Sequence, residues 1–271
     1  MWVFFHAGII VQLVEYTVMS MKKGYIPVFF INNQINTKKS LCLEWFFEQP
    51  HKTIFELENL EYNNISYVDE KIENIPYRIE GEYLWNLKSK DWQIWHKLAL
   101  RIVAQNEFLH SYIINDKKKN QIHSENMLGV LIRGTDYVKL KPKLHPVQPD
   151  IDEVIEKVHE IMDTKGFTEL YVATDEKRIY ERMVEEFGAQ NVFSNTREYY
   201  DEIYRDGNMN QICEARLERK NDQFLNSIEY ISSMMILAEC KGITGGNCTG
   251  ALVAALLGEH SYDFFFNKGV Y

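Results

Sequence analysis

Residues 127–136 (MLGVLIRGTD) combine a short apolar run with a charged turn. The run is rich in Val, Ile and Leu, which predicts a buried strand of a parallel sheet over residues 127–132. Arg133 and Asp136 follow it, so the strand delivers a cation and a carboxylate to its carboxyl end. Because ligands of open α/β sheets bind just beyond the carboxyl ends of the strands, this turn could hold an anion. The alternative is an ordinary ion pair between the two side chains within the turn.

Two more predicted strands end in polar residues that could contact the same ligand. One strand covers residues 169–173, and the other polar segment directly precedes a predicted helix at residues 250–257. An acid just past a strand can accept hydrogen bonds from a base or a ribose hydroxyl, or it can cap the next helix. Glycines before a helix N-terminus suit an anion, but the pattern is neither the Walker nor the dinucleotide-binding one, and plain capping is the alternative. The candidate ligand-binding residues of the two segments are Thr174, Asp175, Glu176, Thr244, Gly245, Gly246, Asn247 and Thr249.

The periodicity of apolar residues predicts the elements that position these turns. In the C-terminal half, strands and helices alternate, which indicates a doubly wound, Rossmann-like α/β domain with a parallel sheet. Because the carboxyl ends of parallel strands share one edge, the three polar turns are expected to converge. Residues 199–220 are polar and are expected to be mobile. The predicted strands are residues 127–132, 169–173, 191–193, 242–243 and 262–266, and the predicted helices are residues 150–164, 177–187, 227–239 and 250–257.

The N-terminal half begins with a strand–helix–strand pattern over residues 2–5, 9–23 and 25–31, the unit that builds parallel sheets. A further helix is predicted over residues 92–115, where apolar residues recur at helical spacing. The charged segment 116–125 that follows indicates a linker, and we place a domain boundary there.

Composition and charge exclude several classes of protein. The formal net charge of −9 argues against a general nucleic-acid binder, since counterion release requires clustered Lys and Arg. The four cysteines form no Cys-x-x-Cys pair, which indicates reduced cytosolic thiols and neither a disulfide frame nor a zinc site. Asp150-Ile151-Asp152 has the form of a metal-binding DxD motif, but it follows a proline and opens a predicted helix, so we interpret it as a helix cap.

The apolar N-terminus, residues 1–23, could be taken for a secretory signal or a membrane span. No basic residue precedes the apolar run, and the lysines come after it, which is unlike a signal peptide. Gln12 and Glu15 interrupt the run, and a charge near the centre of a bilayer is unfavourable. We therefore expect a cytoplasmic protein without an integral membrane segment.

At these turns the chain resembles the fucosyltransferase superfamily, which includes α1,6-fucosyltransferases, the nodulation fucosyltransferase and bacterial α1,2 enzymes. Residues 130–136 look like the His-x-Arg-Arg/Gly-x-Asp peptide of that superfamily, and residues 170–176 look like its strand ending in Ala-Thr-Asp-Asp. Residues 228–257 are similar to the helix–strand–helix block that follows. The chain departs from the pattern at two positions, because the histidine of the peptide is Leu131 and its second arginine position is Gly134. The second departure leaves one fewer cation near a diphosphate.

The resemblance implies a GT-B-like fold, in which two Rossmann-like domains with parallel sheets face each other across a cleft. Residues 1–120 would form the acceptor-side domain, and residues 121–271 would form the domain that binds the nucleotide sugar. Within the first of these, residues 23–28 and 45–50 look like related bacterial polysaccharide-synthesis proteins. The implied activity is an inverting, metal-independent transfer of fucose from GDP-fucose to a glycan or a lipid-linked oligosaccharide.

The resemblance also implies roles for the candidate residues. Arg133 would bind the β-phosphate of the donor and stabilise the leaving diphosphate. Asp175 and Glu176 would hold the guanine or the ribose, and residues 244–249 would offer backbone amides and hydroxyls to the diphosphate. Asp222, which precedes a predicted apolar helix, matches a nucleotide-contacting acid more loosely.

An inverting transfer needs a carboxylate or a histidine to take the proton of the acceptor. Asp136, His145 and His6 are the candidates, in that order. The expected partners are a nucleotide sugar and a glycan acceptor, with no cofactor, metal ion or nucleic acid, and with peripheral membrane association through a lipid-linked acceptor. The alternatives are a GT-B enzyme that uses another nucleotide sugar, a nucleotide-sugar epimerase, and a non-catalytic protein that binds a glycan or a nucleotide.

Overall fold

The computed structural model describes residues 7–25, 27, 29, 43–49, 79, 81–206 and 216–271, without the side chains of residues 22, 135–137, 205 and 206. The helices of this part of the chain are α1 (Ala7–Lys22), α2 (Lys90–Ile102), α3 (Glu107–Lys119), α4 (Thr135–Leu140), α5 (Ile151–Lys165), α6 (Lys177–Phe187), α7 (Asp201–Asp206), α8 (Asp222–Glu239) and α9 (Thr249–Leu257). The strands are β1 (Leu128–Ile132), β2 (Leu170–Thr174), β3 (Val192–Phe193), β4 (Gly242–Gly246) and β5 (Tyr262–Phe266).

These strands form one parallel sheet with the order β3-β2-β1-β4-β5. This is the doubly wound order, in which the chain adds strands on one side of β1 and then crosses to the other side. Val130 in β1 lies between Val172 in β2 and Thr244 in β4. The three central strands are buried along their whole length, as expected for a parallel sheet covered on both faces. The predicted α/β class is confirmed.

Helices cover both faces of the sheet. α5 and α6 pack on the face that carries Val130 and Val172, and α8 and α9 pack on the face that carries Leu131 and Ala173. This division follows from the strand period of two, which sends neighbouring side chains of one strand to opposite faces. The N-terminal helices add a further layer, since α1 and α2 contact α9, and α3 contacts α8. The domain boundary after residue 120 stays a prediction.

The helix predicted over residues 92–115 is two separate helices, α2 and α3. The side chain of Asn106 accepts a hydrogen bond from the backbone N–H of Leu109 at 2.8 Å, which starts the second helix. Between the helices, the carbonyl of Ala104 accepts a hydrogen bond from the backbone N–H of Glu48 at 2.8 Å. The periodicity of apolar residues missed the break because it continues through both helices, whereas the break depends on a distant segment.

Other boundaries also differ from the predictions. α8 begins at Asp222 and not at residue 227, and the polar stretch predicted to be mobile contains the short helix α7. The two predicted N-terminal strands, residues 2–5 and 25–31, fall wholly or mostly outside the described residues and stay predictions.

The start of α5 bears out the capping interpretation of the DxD sequence. The carboxylate of Asp150 accepts the backbone N–H of Glu153 at 3.0 Å, and the carboxylate of Glu153 accepts the backbone N–H of Asp150 at 3.0 Å. These reciprocal bonds form a capping box, which satisfies N–H groups that a helix start otherwise leaves without partners.

The apolar N-terminal helix α1 is part of the core. Its side chains Ile10, Leu13 and Val14 are almost completely buried. Gly24 follows the helix with a φ of 74°, the left-handed conformation in which many helices end. Among the described helices, none is both long enough and apolar enough to cross a membrane.

Candidate functional site

A pocket opens at the carboxyl ends of β1 and β2, beside the point where the strand order reverses. It is bounded by the segment that follows β3, by α8 and by the start of α9. In doubly wound sheets this is the place where ligands bind. The residues that line the pocket are Leu131, Ile132, Arg133, Ala173, Thr174, Asp175, Arg197, Tyr230, Met234, Cys248 and Gly250.

Arg133 and Asp175 form the charged centre of this pocket. Nε of Arg133 lies 3.3 Å from Oδ2 of Asp175, and both side chains are largely buried. The other carboxylate oxygen, Oδ1, accepts the backbone N–H of Gly134 at 2.9 Å. Asp175 therefore orients the arginine and ties the turn after β1 to the turn after β2. Its contact with a guanine or a ribose stays a prediction.

Gly134 is required by the side chain of Glu176. A Cβ atom at position 134 would lie 2.5 Å from Cδ of Glu176, which is nearly completely buried. Arg178 donates a hydrogen bond to this carboxylate, and the backbone N–H of Glu176 donates to Oγ1 of Thr174 at 3.2 Å. Thr174 lines the pocket. Glu176 is not among the described lining residues and packs against the turn after β1.

The predicted glycine loop after β4 differs from the expectation. We predicted that the strand ends at residue 243, but it extends to Gly246, so Thr244 lies fully buried inside it. A Cβ atom at Gly245, which has a φ of 142°, would lie 2.0 Å from the carbonyl oxygen of Leu131. A Cβ atom at Gly246 would lie 2.1 Å from Oε1 of Gln148. Both glycines therefore lie against neighbouring protein atoms, and their contact with a ligand stays a prediction.

The residues that follow β4 divide into packed and pocket-lining ones. Asn247 is buried, and its carbonyl accepts a hydrogen bond from Nε2 of Gln148 at 2.7 Å, while Thr249 is exposed. Cys248 and Gly250 line the pocket instead. Burial raises the pKa of the Cys248 thiol, so this side chain is neutral at pH 7. The pocket therefore meets this segment at the start of α9, and the contact of residues 244–249 with a ligand stays a prediction.

Asp222 belongs to a hydrogen-bonded cluster and not to the pocket lining. Its Oδ1 accepts the hydroxyl of Tyr200 at 2.5 Å and Nε of Arg219 at 2.6 Å, and its Oδ2 accepts the backbone N–H of Leu217 at 3.2 Å. Arg219 also donates to Oε1 of Glu229 at 2.7 Å. These contacts favour a role in holding the start of α8, and the predicted contact with a nucleotide stays untested.

Of the three candidate bases, only His145 has a side chain that the structure describes. His145 is exposed, its Nδ1 lies 3.2 Å from the carbonyl oxygen of Lys143, and its own carbonyl accepts the backbone N–H of Tyr271 at 3.1 Å. The side chain of Asp136 and the whole of His6 lie outside the described residues. Within the described part of the chain, no three His, Cys, Asp or Glu side chains could together hold a metal ion.

Arg197 is a pocket residue that the sequence analysis missed. It follows β3, is half-buried, and places its guanidinium carbon 5.2 Å from the ring centroid of Tyr199. The signal was present, because a basic residue follows the end of a predicted strand, as Arg133 does. The two-residue strand before it is too short to mark that end clearly.

Comparison with known proteins shows which solved structures have a similar fold. No protein-family model matches the sequence, and no curated protein matches it. The structure of the fucosyltransferase NodZ from Bradyrhizobium is similar, with 12% identity, coverage of 93% of this chain and 90% of that chain, and a TM-score of 0.54. NodZ α-1,6-fucosyltransferase soaked with GDP-fucose is similar over 93% and 89% of the two chains, with 13% identity and a TM-score of 0.53. NodZ co-crystallised with GDP matches with 13% identity, 93% and 89% coverage and a TM-score of 0.53.

The fold is that of the GT-B fucosyltransferases. The likeness extends over 93% of this chain. The predicted GT-B-like fold is confirmed. The predicted resemblance to fucosyltransferases is confirmed at the level of the fold. At this level of identity the likeness concerns the fold, and the activity has to be argued from the pocket.

Proposed function

We propose that the protein is an inverting, metal-independent glycosyltransferase that transfers fucose from GDP-fucose to a glycan or a lipid-linked oligosaccharide. The observation that carries the proposal is the position of Arg133. Its guanidinium lines a pocket at the reversal of strand order and is oriented by Asp175 at 3.3 Å. The likeness to NodZ, a fucosyltransferase whose structures were obtained with GDP-fucose and GDP, supports the choice of donor.

The proposed chemistry places a preorganised cation where negative charge develops. When the bond between the anomeric carbon of fucose and the diphosphate breaks, its electron pair passes to an oxygen of the β-phosphate. Arg133 donates hydrogen bonds to that diphosphate, and its orientation is already set by Asp175, so little reorganisation is needed during the reaction. The first amides of α9, next to Cys248 and Gly250 in the pocket lining, add positive potential.

The acceptor completes the proposed reaction. Its hydroxyl oxygen attacks the anomeric carbon on the side opposite the diphosphate, which inverts the configuration, and its proton passes to a general base. Asp136 is the first candidate for this base, because it lies in the first turn of α4, three residues after Arg133. Transfer to a screened acceptor, followed by NMR assignment of the anomeric configuration of the product, tests inversion.

Titration calorimetry with GDP and with UDP, in the presence of a chelator, tests the choice of donor. We expect GDP to bind more tightly than UDP. Arg133→Ala is expected to lose about 2–5 kcal/mol of GDP binding free energy and to abolish transfer, because it removes a charge-assisted contact in a partly buried site. Circular dichroism is expected to show that this variant stays folded.

Arg182→Ala is the matched control, since Arg182 is an arginine of α6 that pairs with Glu186 at 2.9 Å outside the pocket lining. Its GDP affinity should equal that of the wild type. Preference for UDP would indicate a GT-B enzyme with another donor. Binding of neither nucleotide, or near-normal turnover by Arg133→Ala, would contradict the proposal.

A further inference from the structure

The pocket contains a second arginine whose charge has no carboxylate partner among the described residues. Nε of Arg197 is buried and has no hydrogen-bond partner in this part of the chain. Three other arginines of the described chain differ from it, since Arg133, Arg178 and Arg219 each form an ion pair with an acid. Burying a cation without a counter-charge is unfavourable, so such a residue needs a reason in its surroundings.

The contact that holds Arg197 leaves its charge intact. Its guanidinium lies over the ring of Tyr199, with 5.2 Å between the guanidinium carbon and the ring centroid. An aromatic face attracts a cation and limits its orientation, but it does not neutralise it. Burial raises the pKa of Tyr199, so the ring stays neutral at pH 7. Arg197 is thereby held at the pocket wall with its positive charge available.

The balance of charge in the pocket lining favours an anion with more than one negative charge. Among the side chains that the structure describes, which do not include that of Asp136, the lining contains two arginines, Arg133 and Arg197, and one carboxylate, Asp175. Because Asp175 already pairs with Arg133, the surplus positive charge is that of Arg197. At position 134 of the turn after β1 the residue is glycine, and an added Cβ would lie 2.5 Å from Cδ of Glu176.

We propose that Arg197 is the second diphosphate-binding residue of this pocket and acts together with Arg133. The inference rests on the proposed function for the identity of the ligand as a nucleotide sugar. During transfer, the two guanidinium groups share the negative charge that the leaving diphosphate gains when its bond to the sugar breaks, and the acceptor proton goes to the base. The second cation is therefore delivered by the segment that follows β3 and not by the turn after β1.

Calorimetric titration with inorganic pyrophosphate and with GDP tests the proposal. Arg197→Met removes the charge but keeps an unbranched apolar stem, and Arg197→Lys keeps the charge without the planar fork. We expect Arg197→Met to weaken the binding of both ligands by roughly 10- to 100-fold, the effect of losing a hydrogen bond to a charged group. Arg197→Lys should recover a large part of the loss. Arg182→Met removes a charge outside the pocket lining and should bind both ligands as the wild type does.

The thermal stability of the ligand-free protein separates ligand binding from a purely structural role. A half-buried cation without a counter-charge is a strain on the fold, so Arg197→Met should leave the Tm unchanged or raise it while binding weakens. Wild-type affinity for pyrophosphate in Arg197→Met would overturn the inference. An equal loss in Arg182→Met, or no pyrophosphate binding by the wild type, would also overturn it.

The two probes distinguish this inference from the proposed function. If pyrophosphate binds in an Arg197-dependent manner but GDP does not bind, the fucosyltransferase proposal fails and the diphosphate site stands. If GDP binds and depends on Arg133 but neither ligand depends on Arg197, the proposed function stands and the role of Arg197 is refuted.

Discussion

Helix α8 contributes to two clusters of charged residues that use arginine in different ways. In the first, which we call the Arg219 cluster, Arg219 donates to Asp222 at 2.6 Å, to Glu229 at 2.7 Å and to the hydroxyl of Tyr200 at 2.7 Å. Both carboxylates are buried, so the arginine is more than neutralised. Such a cluster has no positive charge left for a ligand.

The part of the pocket lining that the structure describes, on the other hand, contains more arginines than carboxylates. Tyr230 and Met234 of the same helix line it, together with Arg133, Arg197 and Asp175. A cation whose charge is fully compensated inside the protein holds elements together, whereas a cation with incomplete compensation retains attraction for an external anion. The two carboxylates around Arg219 therefore distinguish it as a structural arginine from Arg197, which forms no ion pair with a described residue.

Arg219→Met should produce the largest effect on stability. It leaves two buried carboxylates without their cation, and breaking a buried ion pair in this way costs about 3–5 kcal/mol. Urea unfolding followed by circular dichroism measures the loss. The affinity for GDP of the molecules that remain folded should be unchanged. If GDP binding disappears while stability is retained, the Arg219 cluster belongs to the ligand site and the comparison between the two clusters fails.

Gly134→Ala should have a smaller effect on stability than Arg219→Met. It tests whether the side chain of Glu176 requires a glycine at position 134. The added Cβ would lie 2.5 Å from Cδ of Glu176, and overpacking of this kind costs about 1–3 kcal/mol. Adding Glu176→Ala removes the clashing atoms, so the double variant should lose less stability than the sum of the two single variants. Additive losses of unfolding free energy would show that Gly134 is not required by Glu176.

Low pH should weaken the Arg219 cluster. We expect this change in unfolding free energy to be the smallest of the three. Burial acts to raise the pKa of Asp222, but the hydrogen bonds from Tyr200, Arg219 and the backbone of Leu217, together with the charge of Arg219, lower it overall. A carboxyl with a folded pKa below its unfolded value stabilises the fold above the unfolded pKa and loses that contribution as pH falls through the folded pKa. Wild-type unfolding free energy should therefore decline below about pH 4, and Asp222→Asn should decline less over the same range. Equal slopes of unfolding free energy against pH would contradict this assignment.

The C-terminal half could be predicted from the sequence because its signals are local. A buried parallel strand is a short apolar run, and a surface helix repeats its apolar residues every three or four positions. Each element can therefore be recognised from a few neighbouring residues. The bounds of α6 and β5 and the position of Arg133 after β1 follow from such patterns. Errors occurred where a distant segment decides the boundary, as at the break between α2 and α3.

The site was predicted in part. The sequence indicated that the turns after β1, β2 and β4 meet, and the pocket lies there. It did not indicate that Asp175 pairs with Arg133, since these residues come from different strands. It did not indicate that Gly245 lies against the carbonyl of Leu131, since this carbonyl belongs to a neighbouring strand. It also overlooked Arg197.

By itself, the sequence determined the alternation of strands and helices, the parallel sheet that this alternation requires, and the presence of an arginine at the end of β1. The tertiary structure alone decided which arginines are neutralised and which face the pocket. The physical reason is that hydrophobic periodicity is a property of neighbouring residues, whereas charge compensation depends on distances of a few ångströms between segments far apart in the chain. Arg219 and Arg197 cannot be distinguished by residue type, and only the carboxylates brought around the first of them by folding make them different.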